Sequence, residues 1–526
     1  MVITKIGRFK NTVTRFFSGE NLTKKATLNA LASGLDYFAR LAVGFIITPL
    51  MVVGLGDYFY GVWQIMNRLF SYISTTAGSA SPLEWTLAKE QFIENNDLKR
   101  RYVGSAIVIW GLFLPVTGII GGVITWFVPY WLNAAPEYFF QIRVVAAIFV
   151  LMLGSTSLAF MPYAILRGQN QGYRRLGISV FVFFFNGGLT WLALYLKTGI
   201  IGISIAYLAQ DLIVAVFYFT VCRAYIPWFG IRRPSFNLVK RFLHLSGWYL
   251  ASDVVANMTF ASDVVVLGLL SSVESVTSYT LTKYIPETVI SIIAIVVVGI
   301  IPGLGGIMGA GDLKRAAQLR SEVITLTWLI IITMGTTILL WNRVFLELWI
   351  GSDRYAGTLP NLLIVAVIAQ FVLIRTDGSI IDLTLRIQRK VLFGALSVIV
   401  SIVTGGILVK FFDMGVVGVC LGLLLGRSIL SITYPRIASR YLGISWLSQL
   451  KSIVRPVIVT TLIFCAAGAI DHVARSYTLS GLTGWFILVL GVGATAVGVL
   501  LIAFFTGLSL SQQQKILSRF QILFTT

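Results

Sequence analysis

Apolar runs of twenty or more residues recur along this chain from residue 27 to residue 507. Each can cross a hydrocarbon layer about 30 Å thick as a single helix. In such a layer the backbone N–H and C=O groups need partners within the protein, so only helices and closed barrels span it. The runs are continuously apolar rather than alternating, which selects helices. Charge content agrees. It is 12% here, against about 25% in a soluble domain. The expected fold class is an all-α polytopic membrane protein.

Fourteen spans are predicted, at roughly 27–53, 57–82, 102–128, 139–164, 174–196, 200–222, 242–267, 272–302, 322–345, 357–385, 390–410, 415–434, 456–474 and 483–507. The turns after the first, fifth and eleventh are tight ("GLGD", "KTG", "DMG"), whereas the alternate loops are longer and basic. Of the 41 Lys and Arg, 30 fall in the two tails and in the loops at 83–101, 165–175, 223–241, 303–321, 386–390 and 435–455. The opposite side holds Arg143, Lys197, Arg343, Arg354, Lys410 and Arg475. Basic loops stay in the cytoplasm, so both termini are expected there, as an even number of spans requires. The net charge of +20 is thus a leaflet signature, and no nucleic-acid partner is expected. Residues 1–26 are basic without a cleavable apolar core, and read as a cytoplasmic amphipathic segment.

The chain also carries an internal repeat. Asp-Leu-Lys-Arg occurs at 97–100 and again at 312–315. "GIIGIS" at 199–204 matches "GVVGVC" at 415–420, Trp131 matches Trp349, Arg167 matches Arg386, and "VVGLG" at 52–56 matches "VLGLL" at 266–270. All five matches share an offset of 214–219, which chance would not maintain. Residues 27–222 (spans one to six) and 242–434 (spans seven to twelve) therefore read as two copies of one unit, joined by a cytoplasmic linker at 223–241. An even span count makes the copies parallel, two six-helix bundles around a central cleft with alternating access. Residues 435–507, an interfacial segment and two extra C-terminal spans, have no counterpart. Residues 508–526 form a cytoplasmic tail.

A charge inside the bilayer costs at least about 2.5–3.5 kcal/mol, so such groups face a partner or a cavity. Arg40, Arg68, Lys283, Arg375 and Arg427 lie inside spans, with the acids Asp36, Asp211, Asp253, Asp263, Glu287, Asp377 and Asp382. Asp36–Arg40 and Lys283–Glu287 have helical i, i+4 spacing, so they read either as closed pairs locking helices or as functional groups. Arg68 has no acid at i±3 or i±4, which favours a functional role. Arg68 and Lys283 occupy nearly equivalent places in the two copies, as do Asp211 and Arg427 with opposite charge. Several mid-depth cations suit an anionic substrate, a phosphate or pyrophosphate above all, because arginine presents a fork of donors to phosphate oxygens. No GxxxxGK[ST] is present, and no nucleophile–base set is visible. "GLGGIMGAGD" at 303–312 reads as a cytoplasmic turn. His244, His472, Cys222, Cys420 and Cys465 lack ligand spacing. Neither an enzyme, a cofactor nor a metal is expected.

"LASGLDYFARLAVGFIITPLMVVGLGDYFYGVW" and "SDVVVLGLLSSVESVTSYTLTKYIPETV", with Asp263, Gly268 and Tyr279, resemble bacterial polysaccharide flippases of the multidrug/oligosaccharidyl-lipid/polysaccharide (MOP) exporter superfamily. The usual glycine before the tyrosine is Thr277 or Ser278 here. The resemblance covers residues 27 to about 440. It implies a protein that moves undecaprenyl-pyrophosphate-linked sugars to the outer leaflet of the bacterial inner membrane, through a cavity lined by spans one, two, seven and eight. It also implies essential basic residues, for which Arg40, Arg68 and Lys283 match by position, and a weaker match of Asp57 to an acid of peptidoglycan-precursor flippases. A polysaccharide polymerase and chain-length machinery are the implied partners.

The resulting expectation is a lipid-linked oligosaccharide flippase. Arg40, Arg68, Lys283 and Arg375 bind the pyrophosphate, and Asp36, Asp253, Asp263 or Glu287 couples to an ion. A multidrug antiporter would want an acidic cleft. A membrane glycosyltransferase or polymerase would want a large outer loop with catalytic groups, and a scramblase would need no mid-depth cations.

Overall fold

The computed structural model describes residues 22–74, 76–90, 95–169, 171–175, 178–291, 311–383, 388–473 and 479–525, with positions 293, 304 and 307–308. Most of the expected segment 1–26 and parts of 272–302 and 303–312 lie outside the described residues. The protein is all-α, and no strand occurs among the described residues. Twelve helices among them are long and apolar enough to cross a membrane. In chain order the helices are α1 (Leu22–Tyr72), α2 (Thr76–Lys89), α3 (Asn96–Trp131), α4 (Phe139–Gly168), α5 (Ile178–Tyr195), α6 (Gly199–Tyr225), α7 (Phe236–Leu270) and α8 (Val273–Thr282). They continue with α9 (Leu313–Trp349), α10 (Thr358–Leu383), α11 (Gln388–Phe412), α12 (Gly415–Leu442), α13 (Trp446–Val473), α14 (Gly481–Gly507) and α15 (Leu510–Thr525).

Three expectations change. The first and second spans are one run, α1, broken only at Gly56, whose φ of 74° is open to glycine and strained for other residues. The second span, expected to reach residue 82, stops at Tyr72, and α2 (Thr76–Lys89) takes up its expected end and the start of the loop at 83–101. The amphipathic stretch at 435–455 is not a separate interfacial helix. It is the end of α12 and the start of α13, separated at Gly443 with φ 68°. The expected tail at 508–526 holds α15.

Two compact units divide the chain, Met1–Leu55 with Ile73–Asp253, and Gly56–Tyr72 with Val254–Thr526. The first unit has its core where α2, α3, α4 and α6 converge, with Leu83, Leu87, Ile109, Ile165 and Leu166 fully buried. The linker after α6 is fastened there. Arg100 Nε donates to the Trp228 carbonyl at 2.8 Å, Arg232 pairs with Asp97, and Phe242 stacks on Tyr102 with centroids 5.6 Å apart. In the second unit α11 and α12 touch through small residues, with Gly422 and Gly426 facing Gly405, Ser401 and Ser397. Such stripes let helix backbones approach closely inside a membrane.

The division differs from the expected lobes in two places. It falls at Asp253, inside α7, and it assigns Gly56–Tyr72 to the second unit. The second assignment has a packing reason. Ideal Cβ atoms on Gly61 and Gly268 would lie 2.7 Å from Val273 Cγ1 and Ile65 Cγ1 respectively, so only glycine admits these approaches. Thr277 Oγ1 adds a hydrogen bond to the Asp57 carbonyl at 2.6 Å.

One turn recurs in the backbone at the repeat's offset. Lys197 (φ 54°) and Gly199 (φ 65°) recur as Asp413 (φ 53°) and Gly415 (φ 45°). The N-caps between them, Thr198 and Met414, share φ/ψ near −80°/0°. Short 3₁₀ turns at Pro136–Tyr138 and Ser352–Arg354 follow helices ending at Trp131 and Trp349. The shared tetrapeptide is out of phase, however. Asn95 caps α3 and Asp312 caps α9, an offset of 217, so Asp97 and Asp312 play different parts.

Candidate functional site

Four of the sequence-predicted residues come together in the second unit. Arg68 sits in the Gly56–Tyr72 part of α1, Asp263 on α7, Lys283 at the end of α8, and Glu287 one turn beyond. Ser272 caps the α8 N-terminus by accepting from Ser275 N, the arrangement that serine favours. At the other end Asn342 Nδ2 donates to the Thr282 carbonyl at 2.8 Å. Helix breaks at Lys283 and resumes over 284–291.

Lys283 Nζ lies 2.5 Å from Asp263 Oδ2 and 2.9 Å from Glu287 Oε1. Arg68 Nη2 reaches both oxygens of the same Glu287 carboxylate, at 3.2 and 3.1 Å. Tyr279 donates its hydroxyl to Asp263 at 2.5 Å. Phe260 offers its ring to both cations, 5.4 Å from each. It packs on Phe371 at 5.3 Å, whose other neighbour is the Arg427 guanidinium at 5.1 Å. Arg427 donates to the carbonyls of Thr259 and Val367, so it joins α12 to α7 and α10. Among the described residues this cluster holds three cations (Arg68, Lys283, Arg427) and two carboxylates (Asp263, Glu287), a surplus of one positive charge.

The cluster has a closed side and an open side. The side chains of Lys283 and Asp263 are 4% and 0% exposed, whereas those of Arg68 and Glu287 are 26% and 25% exposed. Buried ions cost several kcal/mol each to desolvate, and their partners must offset that cost. The second unit also holds an apolar cleft of about 290 Å³, lined by Thr288, Val289, Trp341, Phe345, Leu488 and Val492 and by none of the charged residues of the cluster.

The remaining predicted residues fall elsewhere. Arg375 is exposed on α10, one turn past Phe371. Its neighbour Asp377 is gripped by Arg320 of α9 at 2.8 and 3.0 Å. Arg40, Asp36 and Asp253 lie in the first unit. Arg40 is exposed over Phe183, 5.0 Å from the ring, Asp36 is buried, and Asp253 is half-buried. Asp211, the repeat counterpart of Arg427, accepts a 2.6 Å hydrogen bond from Thr156. Arg68 is therefore not a cation without an acid, because Glu287 reaches it from 219 positions away. Sequence reasoning missed Phe260, Phe371 and Tyr72, whose hydroxyl bonds the Ala261 carbonyl at 2.7 Å.

No protein-family model and no curated protein matches the chain. Solved structures do. The lipid II flippase MurJ in an inward closed conformation superposes with a TM-score of 0.66 at 13% identity, over 90% of this chain and 98% of that one. The fold is that of MOP transporters. An inward-facing multidrug resistance MATE transporter of that superfamily gives a TM-score of 0.61 at 12% identity, over 77% of this chain and 98% of its own. A MOP transporter from Pyrococcus furiosus, described as having a binding pocket of reverse polarity that suggests a different function, gives 0.58 at 14% identity, over 80% and 96%.

Proposed function

We propose that this protein is a flippase of the bacterial inner membrane that carries a pyrophosphate-linked oligosaccharide on a polyprenyl lipid from the cytoplasmic to the outer leaflet. The observation that carries the reading is the pair Arg68 and Lys283 converging on one carboxylate at the half-open edge of the cluster. Two cations a carboxylate apart are spaced to grip a phosphate group, and arginine does so through two parallel donors. The surplus positive charge favours an anion over a cationic drug. Arg375, exposed on α10, is a further basic contact for the head group, and Arg40 is an exposed basic group of the first unit. A lipid II flippase among the structures of this fold is consistent with such a cargo. So is the precedent that pocket polarity can differ within one fold.

The test is charge reversal. Arg68→Glu and Lys283→Glu should each abolish surface polysaccharide, with the protein still present in the membrane fraction. Normal export in both variants would refute the assignment.

A further inference from the structure

The two carboxylates of the cluster are held very differently. Asp263 is locked. It accepts from Tyr279, from Lys283 and from the backbone N–H of Val264 at 2.8 Å, and its side chain is wholly buried. Glu287 is not locked. Its hydrogen bonds and ion pairs among the described residues run to Arg68 and Lys283, and a quarter of its side chain is exposed. Phe260 meanwhile lies 5.4 Å from both cations, a contact for each besides the carboxylate between them.

From this arrangement, which rests on the anionic-cargo reading above, we infer that Glu287 is a placeholder for the cargo's phosphate. In the empty carrier its carboxylate fills the space between Arg68 and Lys283. An incoming phosphate takes the same donors and displaces it towards the open side. Lys283 keeps Asp263 throughout, so the exchange swaps one oxyanion for another and never leaves the buried ammonium bare. The placeholder makes the site selective. A weakly held small anion must compete with a tethered carboxylate at high effective concentration, and only a ligand with added lipid and sugar contacts wins. It also lets the empty carrier hold its cations paired in a low-dielectric setting, where unpaired charges are costly.

The prediction runs opposite to that for an ordinary ligand contact. Geranylgeranyl pyrophosphate serves as the probe, titrated against the full-length protein in detergent at fixed ionic strength. Geranylgeraniol is the uncharged control, and melting temperature checks the fold. Glu287→Gln should tighten pyrophosphate binding by about tenfold, the effect of removing a part-exposed competing charge, and leave the alcohol unchanged. Glu287→Asp, a shorter acid that cannot bridge both cations, should tighten it less, and it stands in if the glutamine variant does not fold. Arg68→Gln and Lys283→Gln should weaken binding at least tenfold. If Glu287→Gln binds no more tightly than the wild type, the placeholder is refuted while the anionic-cargo reading stands on the two cation variants. If those variants bind like the wild type, the anionic-cargo reading itself fails.

Discussion

At the scale of single residues, what separates the legible charges from the illegible ones is the sequence distance between partners. Lys283 and Glu287 are four apart, and their bond at 2.9 Å follows from helix geometry. Arg68 finds Glu287 219 positions away, and Arg320 finds Asp377 57 positions away. No local pattern carries that information, so Arg68 reads as unpartnered and Asp377 as a neighbour of Arg375. The aromatic Phe260 looks like one more apolar residue of a span until the fold puts two cations on its ring. The Arg320–Asp377 pair also offers a stability prediction. Arg320 and Asp377 are 5% and 5% exposed, and Arg320 bonds Gln449 of α13 as well, at 3.2 Å. Removing one partner of such a pair leaves an uncompensated buried charge, at a cost of about 3–5 kcal/mol, whereas replacing both with apolar groups is close to neutral. Arg320→Met should lower thermal stability in detergent strongly, and Arg320→Met with Asp377→Leu should recover most of it. A single variant as stable as the wild type would show that water reaches the pair.

At the scale of helices, the apolar runs locate most spans because length and hydropathy are enough for that. They fail on where helices end, which finer signals mark: the small polar stretch at 74–81 follows the end of α1 at Tyr72, and Pro286, with no N–H for the Thr282 carbonyl, follows the break at Lys283. Small residues show the converse. Gly61 reads as an unremarkable glycine in a span, but in the fold it is a point of contact between α1 and α8. A Cβ there would lie 2.7 Å from Val273 Cγ1 and 3.1 Å from Thr277 Oγ1, crowding the hydroxyl that bonds the Asp57 carbonyl. Overpacking of this kind costs about 1–3 kcal/mol. Gly61→Ala should therefore lower the melting temperature measurably. Gly111→Ala, on an exposed face of α3 where a Cβ meets nothing within 4 Å, should leave it unchanged or raise it slightly, because alanine is the better helix former. Equal melting of the two variants would remove the close contact from the account.

At the scale of the whole molecule, the internal repeat is the clearest long-range pattern in the sequence, and one of its turns recurs in the backbone. Lys197–Thr198–Gly199 and Asp413–Met414–Gly415 share a backbone conformation that includes two left-handed residues, although only the glycine is common to both. Parallel copies put equivalent turns on one side of the membrane. The charge count predicts that this side faces outward, since the long loops carrying Arg232, Arg233, Lys314 and Arg315 are the basic ones. Cysteine labelling tests both statements together. Cys222 and Cys420 are buried and Cys465 is exposed, so the three are first replaced by alanine. Single cysteines are then placed at Lys197, Lys410, Arg233 and Lys314. A membrane-impermeant maleimide added to intact spheroplasts should label Lys197→Cys and Lys410→Cys, and should label Arg233→Cys and Lys314→Cys only after permeabilisation. Labelling of Lys197→Cys but not Lys410→Cys would mean that the copies are inverted rather than parallel. The alternating access expected from the repeat would then need a different symmetry axis.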